Sequence, residues 1–289
     1  MKILITGASG FIGSNLVRSL AEKHTVYAVV RKKKKFVGNP QVNFIEVDLA
    51  RKDFVEELPS GINTVLHLAQ SSRYRDFPDG VEDMISININ STGFLLDWAR
   101  RSEVKHFVFS STANVYSQTG EKFTEKSATT PISYYGASKL AAEQLVTQYA
   151  QYFAVDILRL FTVYGPGQKG MLIPQIIQKI KSREDIYLAS KAGIYLTPIY
   201  IDDLLNIFIK IMEINVDLKL RIMNICGNES VSLRQIVSSI GEILNLATPI
   251  QVTKDVPLSF IGSNDFLFET IDSLDFTSLT EGLAKTIDL

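Results

Sequence analysis

Tyr135 and Lys139 stand four residues apart in Tyr135-Gly136-Ala137-Ser138-Lys139, the spacing that puts two side chains on one face of a helix. A cation beside a phenol lowers the phenol's pKa, which turns tyrosine into a usable proton donor and acceptor. Hydride chemistry needs such a group. Upstream, Lys2 to Thr6 reads as a strand that runs at once into Gly7-Ala8-Ser9-Gly10-Phe11-Ile12-Gly13 and an apolar helix. Glycines in that place let the backbone turn tightly and approach a pyrophosphate, while the helix N-terminus offers unpaired amides and a positive dipole. Gly7, Ser9, Gly10, Phe11, Ile12 and Gly13 are the first cofactor-binding candidates.

The elements that must position these residues alternate through the first two thirds of the chain. Strands read at Lys2–Thr6, Thr25–Val30, Val42–Val47, Thr64–Leu68, His106–Ser110 and Val155–Leu160, with helices beginning near Phe11, Asp53, Val81 and Ser133. Strand and helix in alternation, with near-continuous apolar strands, predict an α/β fold, a doubly wound parallel sheet of Rossmann type covered on both faces. From about Val163 the rhythm loosens, through the turn Tyr164-Gly165-Pro166-Gly167, a helix from Leu172, a strand near Arg221–Ile225 and a helix from Ser232. The reading is a dinucleotide-binding domain over residues 1–162, with returns around 195–227, and a smaller C-terminal α/β substrate-binding lobe over 163–194 and 228–289.

Bulk properties narrow the partners. The chain has 289 residues, 46% hydrophobic, and a net charge of −1, which gives no global attraction to nucleic acid or acidic membranes. No apolar run is long enough to cross a bilayer, no secretory signal opens the sequence, and the single cysteine, Cys226, allows neither an intramolecular disulfide nor a thiol cluster for a metal. A cytoplasmic protein acting on small molecules is expected.

The motifs together resemble the extended short-chain dehydrogenase/reductase family, the nucleotide-sugar epimerases, dehydratases and reductases, over at least Met1 to Asp203. Asp48-Leu49 looks like the family's adenine contact and His67-Leu68-Ala69 like its segment along the cofactor, continued by Gln70; His67 itself reads as a core histidine. Asn88 to Thr92 resembles a structural asparagine motif, with Ser91 where glycine is usual. Leu158 to Phe161, followed by Tyr164 to Gly167, is similar to the segment beside the nicotinamide. The resemblance implies that Ser110 lies against the cofactor and that Thr112 hydrogen-bonds the substrate oxygen, with Ser111 as the fallback. It also implies that Tyr135 exchanges a proton with that oxygen while Lys139 holds the nicotinamide ribose. Tyr134 falls one residue short of the required spacing.

Cofactor and reaction follow by comparison with that pattern. An NAD-selective site presents a carboxylate at the end of the second strand. Here Val30 stands there, followed by Arg31 and Lys32, and arginine's fork matches a phosphate. NADP(H) is therefore expected, with Arg31 and Lys32 on its 2′-phosphate and Lys33 to Lys35 as a solvated loop. Ala113-Asn114 replaces the acid pair of the family's dehydratases, and neither Cys226 nor any of the three histidines is placed for epimerisation beside a ketone. The expected reaction is NADPH-dependent reduction of a 4-keto-6-deoxy nucleotide sugar. The alternatives are a nucleotide-sugar 4-epimerase with tightly bound NAD and a non-catalytic dinucleotide sensor. Thr162 and Met171 occupy positions where the 4-epimerases carry asparagine. Arg73, Arg75, Lys169 and Lys191 are the candidate diphosphate contacts, and Thr162 is a further substrate candidate. Apolar residues beyond one stripe in Met84–Trp98 and Ala137–Tyr149, helices that pair across a two-fold axis in the family, lead to the expectation of a homodimer.

Overall fold

A computed structural model describes residues 1–32, 40–117, 119–214, 220–257 and 259–287; the Lys33–Lys35 reading lies outside the described residues. The chain divides into two compact units: Met1–Ser117 with Ala128–Arg159 and Phe208–Met223, and Gln118–Ser127 with Leu160–Ile207 and Asn224–Leu289. By this division Phe208–Met223 falls in the first unit and the short stretch Gln118–Ser127 in the second.

In the first unit the order is β1 (Lys2–Thr6), α1 (Phe11–Leu20), β2 (Thr25–Val30), β3 (Val42–Glu46), β4 (Thr64–His67), α2 (Val81–Met84), α3 (Ser91–Arg101), β5 (His106–Thr112), α4 (Tyr134–Gln148) and β6 (Ala154–Leu160). The second unit adds β7 (Val163–Tyr164), α5 (Leu172–Lys181), β8 (Ile186–Ala189), β9 (Tyr195–Leu196) and β10 (Ile199–Tyr200). After α6 (Ile201–Glu213) and β11 (Leu220–Ile225) come β12 (Val231–Ser232), α7 (Leu233–Leu244), β13 (Ile250–Thr253), α8 (Asp265–Thr270) and α9 (Leu279–Ile287).

Seven strands form one sheet in the order β11-β6-β5-β4-β1-β2-β3. The pairs β3–β2, β2–β1, β1–β4 and β4–β5 are parallel. Strand order reverses between β1 and β4, and ligands of such sheets bind at the carboxyl ends beside that reversal. Ile3, Leu4 and Ile5 of β1 and Val65 and Leu66 of β4 are completely buried, as a sheet covered on both faces requires. A core of Phe54, Leu95, Leu96, Trp98, Phe107, Phe109, Ala142, Val146 and Phe153 fixes α3 and α4 beside β5.

Three elements differ from their sequence reading. The helix expected at Asp53 is a 3₁₀ turn, Lys52–Glu57, closed by an extended Leu58, because Pro59 denies its predecessor the helical conformation. The helix expected from Val81 starts there, but one turn of π-helix, Ile85–Asn90, interrupts it before α3. β5 runs to Thr112 rather than ending at Ser110. Residues alternate across a strand, so the two added hydroxyls, Ser111 and Thr112, leave β5 on opposite faces.

Candidate active site

The glycine turn after β1 joins two strand ends. Gly7 has φ +66°, and a Cβ on it would lie 2.8 Å from the amide nitrogen of Ala69, past the end of β4. Only glycine permits that approach. Gly10 caps α1 without a side-chain hydrogen bond, and the first turn of α1 carries no acid, so the first N–H groups of that helix, those of Phe11, Ile12 and Gly13, are available to an anion. A cleft of about 170 Å³ opens over this turn. Gly7, Ser9 and Gly10 line it, with Arg31 beyond β2, Leu49 beyond β3, and Leu68, Ala69 and Gln70 beyond β4. Every strand end beside the reversal thus contributes to one concavity, and the donor set fits a dinucleotide: amides and a helix N-terminus for phosphates, apolar walls for a base.

Several further liners were not read from the sequence: Val29, Val47, Ser72, Asp83 and Ile87. Strand-end valines carry no motif, and Asp83 reaches the cleft because Ser71 donates a hydrogen bond to its carboxylate. Asp48 is exposed and accepts from the Ala50 amide at 3.0 Å, and Lys32 is exposed.

Tyr135 and Lys139 are set by the start of α4. Ser133 caps the helix, its hydroxyl accepting from the Gly136 amide at 3.1 Å. A Cβ on Gly136 would lie 2.3 Å from the carbonyl oxygen of Asn114. That close approach brings the helix onto the turn after β5, and the Thr112 hydroxyl reaches the Tyr135 phenol. Thr112 Oγ1 is further fixed by the Asn114 amide at 3.2 Å and Asn114 Nδ2 at 3.0 Å. Tyr135 donates to Gln70 Oε1 at 2.7 Å, so the phenol stands at the cleft wall. The Tyr74 ring packs on it with centroids 5.1 Å apart, and Tyr134 stacks on Phe77 instead.

The expected electrostatics are corrected by this geometry. Burial raises the Tyr135 phenol above its ordinary value; the Thr112 hydrogen bond opposes this, and Tyr74 adds to it. Lys139 is not what lowers it, since its ammonium is buried, donates to Ser110 O at 2.7 Å and lies 4.1 Å over the Phe109 ring. Burial brings Lys139 down to about 7, against the opposing charge of Glu143. Ser111, the fallback for the substrate oxygen, faces the other way and donates to Glu143 Oε1 at 2.5 Å. Thr112 is the hydroxyl that meets Tyr135.

His67 is a core residue. Its Nδ1 lies 2.6 Å from Thr6 Oγ1 and its Nε2 2.9 Å from Thr92 Oγ1, and burial, with Lys139 beside it, lowers it to about 3. Asn88, in the π turn, accepts from the Ser71 amide at 2.8 Å and donates to Ser138 Oγ at 2.8 Å, tying the loop after β4 to the catalytic helix. Cys226 is buried with its thiol pushed up to about 12 by desolvation, a poor acid or base.

Of the substrate candidates, Arg73 pairs with Asp76 at 3.2 Å and Arg75 lies 5.0 Å over the Tyr74 ring, both exposed. Phe161 and Thr162 belong to the second unit. There the Phe161 ring packs against Phe123, Phe260 and Gly262, and the Thr162 carbonyl accepts from the Ile199 amide at 2.9 Å. Lys169 and Lys191 are exposed in that unit.

Residues 3–226 match the model of the NAD dependent epimerase/dehydratase family. The chain belongs to that family. This epimerase/dehydratase family member is 34% identical over 186 residues to the uncharacterized UDP-glucose epimerase YtcB of Bacillus subtilis, a match that spans 58% of each chain. It is 30% identical over 279 residues to the UDP-glucose 4-epimerase of Corynebacterium glutamicum, covering 87% of this chain and 83% of that one. The structure of MoeE5 in complex with UDP-glucuronic acid and NAD superposes with a TM-score of 0.88 at 27% identity, over 100% of this chain and 98% of that one. The family member is accordingly an enzyme of the short-chain dehydrogenase/reductase type that uses a nicotinamide dinucleotide, with a Rossmann sheet as expected.

Proposed function

We propose that the protein is a nucleotide-sugar 4-epimerase working with NAD. The carrying observation is the Tyr135 phenol held between Thr112 and Gln70 at the cleft wall, one helical turn from a buried Lys139. The named activities of the relatives favour epimerisation over net reduction.

When bound, the dinucleotide supplies a hydride acceptor and donor at carbon, together with positive charge in its oxidised form. The chain's own residues handle the proton. Tyr135 takes the proton of the sugar's C4 hydroxyl as that carbon is oxidised, and returns it to the same oxygen when the ketone is reduced from the other face. Thr112 donates a hydrogen bond to that oxygen, strongest when it carries most negative charge. Lys139, one turn along α4, binds the ribose. Since burial alone keeps the phenol protonated, its ionisation depends on positive charge arriving with the cofactor. Arg73, Arg75 and Thr162 are the proposed sugar and diphosphate contacts, Phe161 the proposed nicotinamide neighbour, and a homodimer the proposed assembly.

The test is incubation of purified protein with UDP-glucose and UDP-glucuronic acid. The expected outcome is C4-inverted product with no net change in NADH absorbance; stoichiometric consumption of NAD(P)H on a 4-keto sugar would replace this reading with the reductase. One observation favours that second reading: Arg31 lines the cleft directly after Val30, with no acid at the strand end. For an NADP(H) reductase, Arg31→Ala lowers the NADPH-to-NADH affinity ratio about tenfold or more, whereas in an NAD epimerase the ratio stays put. Isothermal titration distinguishes them.

A further inference from the structure

Beneath the catalytic set lies a buried ionic cluster that the proton chemistry above does not use. Glu143 follows Lys139 by one turn on α4 and is 1% exposed. Arg159 on β6, 4% exposed, donates from Nη2 to Glu143 Oε2 at 2.8 Å and from Nε to Oε1 at 3.1 Å. Its other terminal nitrogen, Nη1, donates to Tyr116 Oη at 3.0 Å. Ser111, the residue before Thr112, donates to the same Glu143 carboxylate. A carboxylate in such a place is costly unless its partners are fixed, and these partners come from β5, β6 and the turn after β5.

We propose that Glu143 is a positioning residue for this catalytic set: through Ser111 it clamps the end of β5 that carries Thr112 to the helix that carries Tyr135, and it supplies the buried negative charge facing the Lys139 ammonium. The inference rests on the Tyr135–Lys139 reading of the site. Polar groups on three elements surround Lys139. Tyr135 and Glu143 lie on its own helix, the Ser110 carbonyl on β5 and neutral His67 on β4, with Arg159 of β6 behind Glu143. Glu143 is the one anion among these groups, and it opposes the desolvation that lowers Lys139 to about 7. Arg159 bonds both oxygens of the Glu143 carboxylate and so reduces its pull, yet the charge that raises Lys139 is still that of Glu143.

The experiment is a ¹³Cε-lysine NMR titration of the cofactor-free protein, with the Lys139 signal assigned by its loss in Lys139→Arg. Glu143→Gln keeps the shape and the acceptor for Ser111 and removes the charge, and the Lys139 midpoint is expected to fall by about one pH unit. Should the single variant not fold, Glu143→Gln with Arg159→Gln removes both charges and is expected to lower the midpoint in the same direction, by less, because the pair it removes is neutral. In the turnover assay the alkaline side of the kcat profile moves down with the midpoint, while Ser111→Ala leaves the midpoint in place and lowers kcat about tenfold through a loosened Thr112. Equal midpoints in wild type and the charge variants, or an unaltered kcat in Ser111→Ala, would overturn the proposal. The titration needs no substrate, so failure of the epimerase assay and failure of this inference are told apart.

Discussion

At the scale of single residues, the site holds its lysine against the preference of the fold. An ammonium 1% exposed, bonded to Ser110 O, is lowered by burial to about 7. The unfolded chain keeps its lysine protonated to about 10.4, so between those values the unfolded state binds the extra proton and stability rises with pH. Below about 7 both states carry it, and the burial cost is present in full. Lys139→Met is therefore expected to raise the melting temperature of the cofactor-free protein at pH about 6, and by less at pH about 9, while abolishing turnover; function is kept here at the expense of stability. Calorimetry at the two pH values checks it, and a melting temperature lowered at both would contradict it.

At the scale of elements, the irregular turn between α2 and α3 matters more than the regular helices around it. A π turn at Ile85–Asn90 contains Asn88, whose amide joins Ser71, after β4, to Ser138 on α4. Ser138 in turn donates to the Tyr135 carbonyl at 2.8 Å. One buried side chain thereby couples the cofactor loop to the backbone of the catalytic tyrosine. Asn88→Ala leaves the Ser71 amide and the Ser138 hydroxyl short of a partner, and is expected to cost about 1–3 kcal/mol, measurable by urea unfolding. Because it also frees α4, a lower kcat at unchanged global fold should accompany the loss.

At the scale of the molecule, the far end of the sheet is stapled by charge. Asp156 on β6 accepts from His106 of β5 at 2.6 Å and from Arg221 of β11 through two bonds at 2.6 and 2.7 Å, all three residues buried. Desolvation pushes the Asp156 carboxyl up, but the His106 and Arg221 hydrogen bonds outweigh it and hold the group below its ordinary value. A depressed carboxyl contributes stability above its unfolded pKa of about 3.9 and loses it as pH falls through the folded value. Acid unfolding is thus expected to begin near pH 4. Asp156→Asn should cost about 3–5 kcal/mol at neutral pH and flatten that acid limb, as circular dichroism against pH would show. In the second unit, Phe123 plays a comparable joining part: its amide donates to Ile261 O at 2.8 Å, and its carbonyl accepts from the Ser263 amide at 2.7 Å and Asn224 Nδ2 at 3.1 Å.

Periodicity and glycine placement in the sequence were enough for the strands, the cradle, and the pairing of Tyr135 with Lys139, since these depend on neighbours within one or two turns of chain. It was the family resemblance that made Thr112 the hydroxyl of choice, with Ser111 beside it as a fallback; in the folded chain Ser111 is taken up by Glu143. The charges inside the site were not legible in the same way. That Lys139 is drained toward neutrality rather than draining the phenol, and that Glu143 and Arg159 meet beneath it, depend on burial and on bonds between residues far apart in the chain. The cleft walls at Asp83 and Ile87 are of the same kind. Local pattern chose the reacting groups; desolvation and long-range partners, which only the folded chain creates, set their charge.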